Sequence, residues 1–126
     1  MSDSNKLAGA YLVNGTIGNV GMPGAPILNF SLVVVPSTNS VSGTVHVTQA
    51  VEGGSYSGHV TGNIHATGLG PVTQIVSLKG MMSQDSPVIG LFPIEANMAI
   101  NSAWEGEGGF SYLNVHVEKV PVKPIK

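Results

Sequence analysis

The 126-residue chain has no cysteine and no arginine, and only 10% of its residues are charged. Without cysteine it has no disulfide bond, no thiolate metal site and no cysteine nucleophile. Without arginine it lacks the planar side chain that holds a phosphate or a carboxylate at two points. Nucleic-acid-binding proteins depend on clusters of Lys and Arg, so five lysines and a net charge of −2 argue against nucleic acid as a partner.

Long apolar segments are missing as well. No uninterrupted apolar run exceeds the four residues of 32–35 (LVVV), whereas a membrane-spanning helix needs about 20. The N-terminal residues show no basic region followed by an apolar segment, so we expect no secretory signal and no membrane span. The default expectation is a soluble cytoplasmic protein, with leaderless export as the alternative.

Glycine and apolar residues are plentiful. The chain contains 17 glycines and is 42% hydrophobic, which excludes intrinsic disorder, since disordered chains combine low hydrophobicity with high net charge. Its length corresponds to one domain with its own core. We therefore expect a single all-β domain over residues 1–126, with loosely held termini at 1–6 and 121–126.

Apolar and polar residues alternate with a period of two, which is typical of half-buried strands. This pattern covers residues 27–34, 41–48, 56–66, 72–78 and 113–118, and the even-numbered residues of 28–34 are predicted to face inward. Residues 92–104 also read as a strand, with a helix as the alternative. Turn-forming clusters lie at 21–26, 36–40, 52–55, 68–71, 83–87 and 105–109.

Strands at this spacing predict seven or eight antiparallel strands in a meander, which forms a closed or partly open barrel or a two-sheet sandwich. Matching loop lengths predicts which residues face each other across neighbouring strands. The predicted inner row is Phe30–Val45–Val60–Val76, and the predicted outer row is Asn29–His46–His59–Ser77. A loop at 105–108 would place Ile100 opposite Leu113 and Met98 opposite Val115. Gly43 and Gly58, at matched inner positions, are predicted to mark tight bends.

The outer row carries the main candidate site. Directly opposed residues have Cβ atoms about 4.5–5.5 Å apart, so His46 and His59 could share a small ligand or a divalent metal. A metal usually needs three or four ligands, and Asn29 and Ser77 are poor ones. We therefore assign Asn29, His46, His59 and Ser77 as candidate ligand-binding residues and predict no metal site. The alternative is that these histidines are ordinary residues of a solvated polar face.

No catalytic arrangement is visible in the sequence. The only aspartates are Asp3 and Asp85, and no nucleophile-elbow motif is present. Residues 104–109, with two acids beside the single tryptophan, resemble a glycine-rich hairpin tip more than a calcium loop. We expect a protein that is not an enzyme and has no cofactor.

Residues 24–32 (GAPILNFSL), 41–43 (VSG) and 47–50 (VTQA) resemble a family of small uncharacterised Gram-negative bacterial proteins classed as a domain of unknown function. The resemblance lies mainly within residues 15–50. It implies a bacterial origin and an all-β fold, and it brings no activity, cofactor or site residues.

The sequence thus favours a non-enzymatic bacterial binding or interaction protein with a protein or small-molecule partner. Open edge strands would allow pairing with a second copy, giving a homo-oligomer. The alternative is a binder of a small ligand or a divalent metal on the face of His46 and His59. A hydrolase is the least favoured possibility.

Overall fold

The computed structural model describes residues 9–48, 55–68, 70, 72–84 and 91–125. Each strand pairs antiparallel with the next in the chain, and the last pairs with the first to close a barrel. The strands are β1 (Tyr11–Ile17), β2 (Ile27–Val35), β3 (Ser40–Thr48), β4 (Ser55–Ala66), β5 (Gln74–Gln84), β6 (Phe92–Ile100), β7 (Gly106–Tyr112) and β8 (Val115–Pro124). The predicted all-β meander is confirmed, with eight strands and a closed barrel.

The hydrophobic core fills the inside of the barrel. The inward-facing large residues are almost all buried and form one apolar cluster, and no polar or charged residue of the described chain is classed as buried. The even-numbered residues of 28–34 belong to this cluster, as predicted. Helical structure in the described residues is one 3-10 turn at Pro36–Thr38, and none of it could cross a membrane.

Several inner positions are glycines that allow neighbouring strands to approach closely. A Cβ atom at Gly43 would overlap the carbonyl oxygen of Ser31, and a Cβ at Gly58 would overlap that of Met81. Small barrels curve strongly, and glycine is the residue that tolerates such a close backbone approach. That these two glycines mark tight bends stays a prediction.

The predicted register is correct between β2 and β3 and wrong in the next two strand pairs. Val34 faces Val41 and Phe30 faces Val45, as expected. Val45, however, faces Gly58 instead of Val60. Val60 in turn faces Gly80 instead of Val76. β3 ends at Thr48, before the assumed turn, and β5 begins only at Gln74, after the assumed loop. Because both shifts are even, every side chain keeps its predicted face.

The second half of the barrel corrects two further predictions. Residues 92–100 form β6, so the helix alternative is wrong, but the predicted turn at 105–109 lies mostly within β7. Ile100 therefore faces Gly106 and Met98 faces Gly108 instead of Leu113 and Val115. The hairpin turn falls at residues 113–114, where Leu113 is exposed.

The C-terminal residues hold the barrel closed. Residues 122–124 pair with 15–17 of β1, and Val122 is buried. The expectation of a loosely held segment at 121–126 is therefore wrong for 121–124, while 1–6 and Lys126 lie outside the described residues. Residues 15–17 of β1 are thereby paired on both sides, and the homo-oligomer through edge strands stays a prediction.

Candidate functional site

Two of the four predicted site residues lie together on the outer face of the barrel. Asn29 and His46 face each other across β2 and β3. The Asn29 Nδ2 group donates a hydrogen bond to the His46 carbonyl oxygen at 3.4 Å, and the His46 ring Nε2 lies 2.9 Å from the Ser55 hydroxyl. The second contact holds the His46 ring against Ser55 of β4.

His59 is not directly opposite His46, so that prediction is wrong. The residue opposite His46 is Ser57, and His59 faces Thr44 on one side and Met81 on the other. The two histidines are therefore diagonal neighbours, about 7–8 Å apart at the backbone. The geometry that suggested a shared metal is lost.

Ser77 lies away from the other three residues. It faces Asn63 and Asn97, four positions along β5 from Met81, the partner of His59. At 3.3 Å per residue this is about 13 Å. Across the described parts of the chain, moreover, no three His, Asp or Glu side chains lie close enough together to hold a metal ion. The predicted row of four residues does not form one site.

A hollow of about 440 Å³ does lie beside His59, on the outside of β4 and β5. Its polar lining includes Ser57, His59, Thr61 and Lys79, and the exposed Leu91 lies at its edge. All of these polar groups except the charged Lys79 can both donate and accept hydrogen bonds. The hollow therefore presents several hydrogen-bonding groups on the histidine-bearing face.

A second outer groove, of about 410 Å³, lies over β6, β7 and β8. It is lined by Glu95, Glu107 and Glu118 together with apolar residues that include Phe110. Glu118 Oε1 is 3.2 Å from His116 Nε2, and both side chains are about two-thirds exposed, so this contact contributes little to stability.

A bulge interrupts the pairing of β7 with β8 at this groove. The register shifts between Gly108 and Phe110, and Lys119 adopts a left-handed conformation with φ of 55°. Bulges bend a strand and redirect its side chains. The sequence contains a sign of this bulge. The inward apolar positions of β8 change from odd-numbered (Val115, Val117) to even-numbered (Val120, Val122), as expected where a strand has one extra residue.

One end of the barrel is closed by Trp104, which was predicted to lie at a hairpin tip. The residue is in the turn between β6 and β7 but is only 4% exposed. Its ring packs 5.9 Å from Phe30, and its Nε1 group donates to the Tyr11 hydroxyl at 3.4 Å. The tryptophan therefore belongs to the core and is not available to stack on a ligand.

Aromatic side chains close the opposite end. Tyr56 packs edge-on against Phe92 at 5.3 Å, and the Tyr112 ring lies 5.5 Å from that of Tyr56. Tyr112 is 3% exposed, and its hydroxyl has no hydrogen-bond partner in the structure as described. Burial raises the pKa of Tyr112 to about 12, and the nearby Tyr56 hydroxyl adds to the increase. No pattern in the sequence predicted that the Tyr112 hydroxyl would be buried.

Comparison with known proteins identifies a family. The family model described as Domain of unknown function (DUF1842) matches residues 8–116. The chain belongs to this family. The DUF1842 match covers β1 to β7 and the first two residues of β8, so it extends well beyond the 15–50 segment in which the resemblance was seen. No curated protein matches the chain, and the DUF1842 assignment brings no activity or site residues with it.

Proposed function

We propose that this DUF1842 protein is a non-enzymatic binding or interaction protein that acts through the outer surface of its barrel. The observation that supports this most is the filled interior. Large apolar side chains occupy the inside, and aromatic residues pack at both ends, with Trp104 at one and Tyr112 at the other. A carrier of small apolar molecules needs an internal cavity of some hundreds of Å³. Both hollows described above lie outside instead.

A hydrolase remains the least favoured function. The hydrogen bond between His46 and Ser55 resembles a base beside a nucleophile. Such a pair needs a third group, usually a carboxylate, to orient the histidine. The carboxylates whose positions are described, at residues 95, 105, 107 and 118, all lie in or beside β6 to β8.

Native mass spectrometry tests the proposal. The protein is purified from cells under non-denaturing conditions, and its mass is compared with that of the same sample after denaturation. A protein with a filled interior retains no small molecule, so both spectra should give the mass of the chain or its multiples. A stoichiometric apolar adduct that is lost on denaturation would overturn the proposal and identify a carrier.

A small-ligand binder on the His59 face is the second candidate, favoured by the hollow of about 440 Å³ beside this residue. If His46 and His59 shared a metal ion, Zn²⁺ would shift the imidazole NMR signals of both residues together. The substitution His46→Ala would then abolish the response of His59. Because the two residues are diagonal neighbours, we expect them instead to respond independently. A joint response would restore the metal hypothesis, and Asn97→Ala on β6 provides the control.

A further inference from the structure

The outer wall formed by β1 to β4 carries no formal charge. Residues 9–48 and 55–68 contain no Asp, Glu, Lys or Arg, and the outward positions hold mainly Ser, Thr, Asn and His. We call this surface the uncharged wall. The charged residues with described positions all lie between Lys79 of β5 and Lys123 of β8. Lys79 faces Thr61 and Lys123 faces Thr16, so these two lysines lie at the margins of the wall. The charges of this barrel are therefore strongly separated.

We propose that the uncharged wall is the interface with a second copy of this chain, related by a two-fold axis. This inference rests on the proposed function and names the partner that the outer surface takes. In a two-fold interface each patch meets the same patch of its partner, so any charge near the axis faces a like charge. The β6–β8 side, with Glu95, Glu107 and Glu118, would repel its copy, whereas the uncharged wall would not. Charged residues are also depleted from the cores of protein interfaces.

The apolar and polar groups of the wall fit this role. Leu12 and Val33 face each other across β1 and β2 and are 63% and 40% exposed. Beside them, the Ser31 hydroxyl donates a hydrogen bond to Asn14 Oδ1 at 2.6 Å. Polar groups that already bond to each other cost less to bury than unpaired ones. The wall therefore offers apolar contact with a small desolvation penalty.

The size of the wall is at the lower limit of what a specific dimer needs. Four strands about 4.8 Å apart and about nine residues long cover roughly 600 Å², and a standard interface buries about 800 Å² on each partner. The two middle strands, β2 and β3, form the centre of the wall, where the two-fold axis would pass. Val33 of β2 and the exposed Thr44 of β3 are therefore the positions at which to test it.

The test measures the mass of the intact protein in solution by sedimentation equilibrium between about 1 and 200 μM. We expect a reversible dimer for the wild type. Val33→Glu and Thr44→Glu each place like charges across the two-fold axis, which costs several kcal/mol, so the dimer should weaken by at least about 100-fold. Asn97→Glu adds the same charge to the exposed face of β6 and should leave the dimer unchanged.

Three results would overturn the inference: a wild type that stays monomeric at 200 μM, a dimer unaffected by both wall variants, or a dimer broken only by Asn97→Glu. Circular dichroism and the unfolding midpoint confirm that each variant remains folded, since all three positions are on the outer face. A monomeric wild type without a bound ligand would leave the proposed function standing and refute only the dimer. A retained apolar ligand in mass spectrometry would refute the proposed function whatever the oligomeric state.

Discussion

Gly62 lies directly opposite Leu78 on the inside of the barrel, and the β5 backbone occupies the space where a Gly62 side chain would be. A Cβ atom at this position would overlap the carbonyl oxygen of Ser77. The hydrogen-bonded ladder between β4 and β5 therefore depends on glycine at this position, for steric reasons.

We predict that Gly62→Ala lowers the free energy of unfolding by about 1–3 kcal/mol, the usual cost of overpacking. Urea denaturation followed by circular dichroism measures this. The matched control is Asn63→Ala, the next residue, which is exposed and should change stability by less than about 0.5 kcal/mol. Equal unfolding midpoints for Gly62→Ala and Asn63→Ala would show that β5 can move away from residue 62 without loss of stability.

Trp104 combines burial with a left-handed backbone conformation, with φ of 62°. Removing the ring should cost about 3–5 kcal/mol, as for other buried aromatic residues. Glycine adopts this conformation freely and alanine does not, so Trp104→Gly should be more stable than Trp104→Ala by about 1 kcal/mol.

Chemical denaturation of both Trp104 variants gives this difference. The expected order, with the glycine variant more stable than the alanine variant, is the reverse of that in strands and helices, where alanine is preferred. The wild type offers an independent check, since its single tryptophan should fluoresce at the short wavelengths typical of a buried indole. A Trp104→Ala protein more stable than Trp104→Gly would contradict the backbone conformation of this turn.

The Tyr112 hydroxyl is buried without a hydrogen-bond partner in the described structure, and such a group costs about 1–3 kcal/mol. Tyr112→Phe removes it and keeps the ring contacts with Tyr56 and Phe110. We predict that this variant is more stable than the wild type by about 1 kcal/mol at pH 7, measured by denaturant unfolding. Tyr56→Phe, at a half-buried position, is the control, and a destabilised Tyr112→Phe would reveal a partner for the hydroxyl.

Tyr112 also makes the free energy of unfolding depend on pH in the alkaline range. Its pKa is about 12 in the folded protein and about 10 when unfolded. Between these values the unfolded chain releases the proton while the folded protein keeps it, so stability falls as the pH rises from about 10 to about 12. The decrease should be smaller in Tyr112→Phe. Identical pH profiles for the two proteins would show that Tyr112 titrates normally.

Asn101 organises the turn that positions Trp104. Its Oδ1 atom accepts hydrogen bonds from the backbone N–H groups of Ala103 at 2.9 Å and Glu105 at 3.0 Å. We predict that Asn101→Ala lowers the free energy of unfolding by about 1–2 kcal/mol. Asn101→Asp keeps the acceptor and should recover most of the loss in thermal unfolding. If both variants behave alike, the side chain has no part in forming the turn.

Part of the candidate site could be predicted from the sequence. The alternation correctly placed Asn29, His46, His59 and Ser77 on the outer face, and the short turn at 36–39 correctly paired Asn29 with His46. His59 and Ser77 were assigned to the wrong neighbours because turn residues do not show where the hydrogen-bonded ladder ends. A shift of two or four residues leaves the face pattern unchanged, so the pattern could not reveal the error.

The sequence did not show which glycines lie in turns and which lie inside strands. Gly106 and Gly108 looked like turn residues, yet they lie inside β7 opposite Ile100 and Met98. There the β6 backbone comes so close that a Cβ atom would overlap a carbonyl oxygen of that strand. In a loop, glycine is favoured because its backbone can adopt many conformations. In a curved strand, it is favoured because it has no side chain to collide with the neighbouring strand. Only the strand that packs against it decides between the two roles.

The sequence by itself determined the all-β class, the inward and outward faces of most strands, and the absence of charge over residues 9–48, because these depend on side-chain polarity with a period of two. The tertiary structure alone decided that the barrel closes, that Trp104 and Tyr112 are buried at opposite ends, and that the uncharged strands form one continuous wall. These features depend on pairings between residues far apart in the chain, and local patterns carry no information about which distant strand supplies the partner.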